Sequence, residues 1–219
     1  MKKTNNQGNG ITEMVFILDR SGSMAPLVSD TIGGFNGMIT EQKKVEGKAF
    51  VTTVLFDSNV STLHDRVDLR EIPELTGREY RVGGSTALID AIGSTVNHIK
   101  DIHRYIRPED VPEHVIFVVT TDGMENASRK FNADEVRKMV KAQQKAGWEF
   151  IFLGANIDAV QTGERFGFAG KNSVNYMADS VGTNKLYNSV ACAMKSMRQK
   201  GALAEDWAEE VAADYESRK

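Results

Sequence analysis

Apolar residues in this chain fall into short unbroken blocks separated by longer stretches with helical spacing. "TEMVFILD" (12–19), "KAFVTTVLFDS" (48–58), "HVIFVVTTDG" (114–123) and "WEFIFLGA" (148–155) are the blocks. Continuous apolar runs of this length predict strands buried on both faces, as in a parallel sheet. Residues 59–69 alternate instead, which predicts a short antiparallel edge strand. "KNSVNY" (171–176) predicts one further small strand.

The intervening stretches read as helices. In "ALIDAIGSTVNHIKDIHRYI" (87–106), Leu88, Ala91, Ile92, Thr95, Val96, Ile99 and Ile102 share one helical face. "NADEVRKMVKAQQKAG" (132–147) carries Asn132 as N-cap, Glu135 at the capping-box position and Gly147 as the stop. "PLVSDTIGGFNGMITEQKKV" (26–45) is less regular, with Pro26 suited to a first turn. Gly33, Gly34 and Gly37 weaken that helix by roughly 1 kcal/mol each where exposed, so tight packing is expected to compensate. A short helix is expected at 158–168 and a longer one at 179–199. The alternation predicts an α/β fold: a doubly wound, mostly parallel central sheet with helices on both faces. Residues 1–10, polar and rich in Asn and Gly, are expected to be disordered, and 11–200 to form the domain. Residues 201–219 form a helical tail, in which Leu203, Trp207, Val211 and Tyr215 recur four apart and are expected to pack on the same domain.

Composition narrows the function. A net charge of -3 supplies no basic field for nucleic acid or an anionic membrane. No stretch approaches the roughly 20 apolar residues of a membrane span, and no apolar run follows Lys2 and Lys3, so a cytoplasmic location is expected. The single cysteine, Cys192, excludes an intramolecular disulfide and is expected to be a small core residue.

The chemistry concentrates where the strands end. The first apolar block runs into Asp19, Ser21 and Ser23, and the block at 114–123 into Thr120, Thr121 and Asp122. Ser85 and Thr86 follow two glycines just before a helix. Ligands in open α/β sheets bind outside the carboxyl ends of strands, so three distant segments are expected to converge. All their side chains offer hard oxygen, which favours Mg²⁺, Mn²⁺ or Ca²⁺. The alternation Asp19-x-Ser21-x-Ser23 suits three side chains on one side of an extended loop, with Gly22 allowing close approach. Two aspartates only neutralise a divalent ion. A site of this kind leaves a position open for a partner's carboxylate.

"DRSGSM" (19–24), "GGSTALIDAI" (83–92) and "TTDGMEN" (120–126) resemble the three motifs of the von Willebrand factor A domain. There they form the metal-ion-dependent adhesion site. The resemblance covers roughly residues 12–200 and is nearest to small bacterial cytoplasmic members associated with tellurium resistance and stress. It implies a Rossmann-like three-layer fold. It also implies direct metal contacts from Ser21, Ser23 and Thr86, contacts through water from Asp19 and Asp122, and an acidic residue of a partner protein as the last ligand. Mg²⁺ is the implied ion, with Mn²⁺ or Ca²⁺ able to substitute.

Two other functions compete with a non-catalytic binding module. Asp19 at the end of the first strand superficially suits a magnesium-dependent phosphohydrolase, but position 21 is serine, where such an enzyme needs its acid. No phosphate-binding glycine loop or serine–histidine–acid set is apparent. A scaffold whose metal only braces loops is the other alternative. Asp90 is expected to act on a helix face or behind the ligands. Glu125 and Asn126 fit either a partner-selecting rim or a solvated loop.

Overall fold

The computed structural model describes residues 10–219; the expectation of disorder for 1–9 lies outside the described residues. Six strands form one sheet: β1 (Thr12–Asp19), β2 (Ala49–Phe56), β3 (Val60–Asp68), β4 (His114–Thr121), β5 (Glu149–Gly154) and β6 (Ser173–Asn175). Their order is β3-β2-β1-β4-β5-β6, parallel throughout except for the β2–β3 pair. The helices are α1 (Val28–Lys43), α2 (Leu88–Tyr105), α3 (Ala133–Lys145), α4 (Ala159–Arg165), α5 (Ser180–Lys200) and α6 (Glu209–Arg218).

The apolar blocks are buried on both sides because the sheet is covered on both sides. Along β1, Met14, Phe16 and Leu18 join a core with Phe35 of α1, Leu186 and Val190 of α5, and Val211 of α6. Val15 and Ile17 face the opposite core, with Ile92 and Val96 of α2, Val136 of α3 and Ala159 of α4. The chain leaves β1 through α1 to β2, then returns through α2 on the other face to β4 beyond β1. The connections therefore diverge at the carboxyl ends of β1 and β4, the switch point where such sheets bind ligands.

Several local expectations need adjustment. The edge strand β3 lies within the expected span and pairs antiparallel with β2, but its register with β2 shifts on either side of Thr53. Arg66, at φ 52, takes up part of that irregularity; its guanidinium pairs with buried Glu13 and lies 4.7 Å from the Phe50 ring centroid. Pro26 sits in a 3-10 helix, Gly22–Leu27, ahead of α1. The glycine-rich stretch of α1 is explained at one position: a Cβ on Gly34 would lie 2.1 Å from the Tyr187 ring of α5. The asparagine capping box and the Gly147 stop (φ 93) occur as expected.

The tail packs on the domain through Trp207 and Val211, both buried, but its helix begins only at Glu209. Trp207 sits in a turn before it, and Leu203 in irregular chain. Cys192 is exposed, not in the core. The apolar positions of α5 that meet the sheet are Leu186, Val190, Ala193 and Met194, so Cys192 lies off that face.

Candidate metal centre at the carboxyl edge of the sheet

Asp19 ends β1 with its side chain turned inward; the residue is only 1% exposed. One carboxylate oxygen accepts the Ser21 N–H at 2.7 Å, and the other accepts the Thr121 hydroxyl at 2.6 Å. Its carbonyl accepts a hydrogen bond from the buried Tyr80 phenol. Ser21 is extended (φ -62, ψ 169), but the 3-10 helix starts at Gly22, so Ser23 arrives by a turn and not by strand-like alternation. The two hydroxyls end up 3.2 Å apart, and Ser23 Oγ donates to Asp122 Oδ1 at 2.6 Å. That bond ties the first segment to the third across 99 residues of sequence.

The second segment reaches the same place through backbone contacts. Gly22 N–H donates to Gly84 O at 3.1 Å, and Gly83 N–H to Arg20 O at 2.9 Å. Gly84 sits at φ 72, where a Cβ would be strained and would lie 2.8 Å from Ser58 Oγ. Gly22, by contrast, has no positive φ, and a Cβ there would make only an ordinary contact with Gly84 O.

Thr86 is 3% exposed and does not cap α2 with its side chain; Ala87 occupies the N-cap. Its hydroxyl is thereby left for the edge. A Cβ built on Gly123 would lie 3.4 Å from Thr86 Oγ1 and 3.5 Å from Ser23 Oγ. All three segments therefore border one small space, and glycine at 123 keeps it open.

The donors at the start of α2, normally met by a side-chain cap, are met by the third loop instead. Asn126 Oδ1 accepts the Thr86 N–H at 2.8 Å, and Asn126 N–H returns a bond to Thr86 O at 3.0 Å. Glu125 accepts the Ile89 N–H at 2.8 Å, and Ser128 Oγ accepts the Asp90 N–H at 2.9 Å. Asp90 answers by accepting the backbone N–H groups of Arg129, Lys130 and Phe131 at 2.8, 2.9 and 3.0 Å. Glu125 and Asn126 are therefore not a free solvated loop: they fasten the third segment to the second, and Asn126 stays exposed at the edge. Asp90 does the same from the helix side.

Burial pushes the Asp19 carboxyl above its ordinary range, against the opposing hydrogen bonds from Ser21 and Thr121. Burial likewise raises Asp122, against the bond from Ser23. Two desolvated acids beside three hydroxyls are a donor set that a hard divalent cation satisfies. No side-chain cation fills the gap among the described residues: Arg20 Nε is 2.9 Å from Asp57 Oδ2. The histidines lie elsewhere, His64 against Thr53, His98 against Asp65, His103 against Glu13 and His114 beside Gly201.

Thr121 and Tyr80 hold Asp19 in place, and sequence reasoning gave neither a specific part. Strand alternation separates Thr121 from Thr120, whose hydroxyl is buried on the opposite face without a partner. Tyr80 carries no such signal, because it sits in the irregular connection after β3.

No family model matches this chain, and no curated protein matches it in sequence. Solved structures share its fold. The von Willebrand factor domain of the type V pilus tip protein Mfa5 from Porphyromonas gingivalis has a TM-score of 0.62 at 10% identity, covering 89% of this chain and 98% of that one. Manganese-loaded TRAP protein of Plasmodium vivax has 0.55 at 18% identity, covering 82% and 72%. Proximal thread matrix protein 1 from the mussel byssus, with a zinc-occupied adhesion motif, has 0.55 at 14%, covering 83% of this chain but 45% of that one. The ArnB paralog VWA2 from Sulfolobus acidocaldarius is likewise matched over 45% of its length. This chain therefore spans under half the length of these two relatives. Its fold is that of the von Willebrand factor A domain.

Proposed function

We propose that this chain is a non-catalytic, metal-dependent protein-binding module. Ser21, Ser23 and Thr86 would hold Mg²⁺ directly, Asp19 and Asp122 would act through water, and a partner protein's Asp or Glu would fill the remaining position. Mn²⁺ or Ca²⁺ would substitute. The single observation that carries the reading is the common space at Gly123, bordered by Thr86 Oγ1 and Ser23 Oγ, with Ser23 also bonded to Asp122. The fold relatives with zinc and manganese support a divalent cation. Following the motif resemblance, we assign the module to the cytoplasm and to a bacterial stress or tellurium-resistance complex.

The phosphohydrolase alternative fares worse on geometry. Both carboxylate oxygens of Asp19 are engaged inward and the residue is almost fully buried, which blocks in-line attack on a phosphoryl group. The serine hydroxyls bond to each other and to Asp122, and no histidine accompanies them as base.

Calorimetric titration with Mg²⁺ and Mn²⁺ tests the metal half of the reading. Wild type should take up one ion, and Ser21→Ala or Asp122→Ala should abolish uptake while circular dichroism stays native. Affinity capture with and without chelator tests the partner half. Uptake unchanged in both variants would end the metal assignment; phosphate-ester turnover lost in Asp19→Asn would replace the module with an enzyme.

A further inference from the structure

Beside the metal centre lies a polar cavity of about 580 Å³, into which Ser58, Ser85, Asn126, Ser128, Arg129 and Lys130 all face. It adjoins the second and third segments of the site. Ser85 and Ala87, the residues on either side of Thr86, line it, and so does Asn126, whose amide oxygen holds the Thr86 N–H.

Its charges are arranged unequally. The carboxylate in its wall, Asp90, is only 6% exposed and is occupied by three backbone N–H groups. Neighbouring Glu125 is likewise consumed, by Ile89, Ala127 and Ser128. The two cations differ. Arg129 and Lys130 are exposed, and their side chains make no ion pair among the described residues. Because Asp90 pins their backbone amides, both side chains project from a fixed stretch of chain and not from a loose loop.

We infer that this cavity receives a second acidic side chain of the same partner segment whose first acid meets the metal. This rests on the metal-dependent reading and specifies the partner: a segment with two acids a few residues apart, the first on the ion and the second between Arg129 and Lys130. The Ser58 and Ser85 hydroxyls and the Asn126 amide supply further hydrogen-bonding groups around the second carboxylate. Such a contact discriminates among acidic partners, since any acid meets the metal but only a correctly spaced pair meets both.

The test uses the full chain, saturated with MgCl₂ and titrated by NMR with two sets of synthetic peptides. The first set carries one Asp in a Gly/Ser background; the second carries a further Asp at successive spacings. At one spacing the diacid should bind about three- to tenfold tighter than the monoacid, the range expected of two solvent-accessible ion pairs. The advantage should shrink as salt rises. In Arg129→Ala/Lys130→Ala it should vanish, with monoacid binding and Mg²⁺ uptake unchanged; Arg129→Glu/Lys130→Glu should make the diacid the weaker ligand. Metal-dependent monoacid binding with no diacid advantage, or an advantage that survives in the double variants, overturns this inference and leaves the metal reading intact. Mg²⁺ uptake without binding of either peptide set overturns the partner half of that reading and the inference together.

Discussion

Glu125 offers a sharp check on how the third loop is held. Its carboxylate accepts the N–H groups of Ile89, Ala127 and Ser128 at 2.8, 2.9 and 2.8 Å and the Ser128 hydroxyl at 2.7 Å. A hydrogen bond to a charged group contributes about 1.5–3 kcal/mol. Four such bonds are not additive here, because Glu125 is half-buried and water reaches part of the loop once the side chain is gone. Glu125→Ala should therefore cost about 2–4 kcal/mol, well above the ±0.5 kcal/mol typical of a plain surface substitution.

At this chain length that is a fall in Tm of roughly 4–16 °C. Urea unfolding should be followed with chelator present, so that ion binding to the native state does not add its own stabilisation. Glu125→Gln, which keeps the volume and one acceptor oxygen, should fall about midway. A loss below about 0.5 kcal/mol in the alanine variant would refute the view that this carboxylate replaces the missing cap of α2. With Mg²⁺ added, the variant should also gain less stability than wild type, because Thr86 is anchored through the same loop.

Two glycines of α1 should respond in opposite ways to alanine. Gly34→Ala forces a Cβ into the Tyr187 ring and should destabilise by about 1–3 kcal/mol in thermal melts. Gly37→Ala meets nothing within 4 Å and should stabilise by about 0.5–1 kcal/mol. Asp214 is held below its ordinary range by hydrogen bonds from Arg218 and Lys185, and Asp179 by the Gly182 N–H and Arg218. A depressed carboxyl contributes stability above its unfolded value and loses it as pH falls through the folded one. Amide protection across 209–218, taken relative to the intrinsic exchange rate at each pH, should therefore stay high at neutral pH and fall only below about pH 3.8. Cys192, being exposed, should react with a thiol reagent under native conditions at a rate close to that in denaturant; strong native protection would contradict its position on α5.

The hydrophobic blocks already contain the layered sheet, because a strand covered on both faces has no room for polar alternation. The carboxyl-edge location of Asp19, Thr86 and Asp122 also follows from the chain, since each directly follows an apolar block or precedes a helix. Side-chain type alone points to a hard cation. How the three segments meet is a different matter. The bond from Ser23 to Asp122 spans 99 residues, and it exists only because β1 and β4 are neighbours in a sheet whose sequence order skips β2 and β3.

The same physics explains where reading by pattern fails. Glu125, Asn126 and Asp90 are ordinary polar residues in a loop and a first helical turn, and nothing local says that their oxygens serve another segment's N–H groups. Tyr80 sits in a connection without periodicity, yet its phenol fixes the carbonyl of Asp19. Cys192 follows helical propensity onto α5, but the core takes Leu186, Val190, Ala193 and Met194 of that helix and leaves Cys192 exposed. Periodicity is a property of neighbours along the chain and survives in the sequence; partners brought together by crossover connections are chosen by topology, and their pairing is decided only when the layers close.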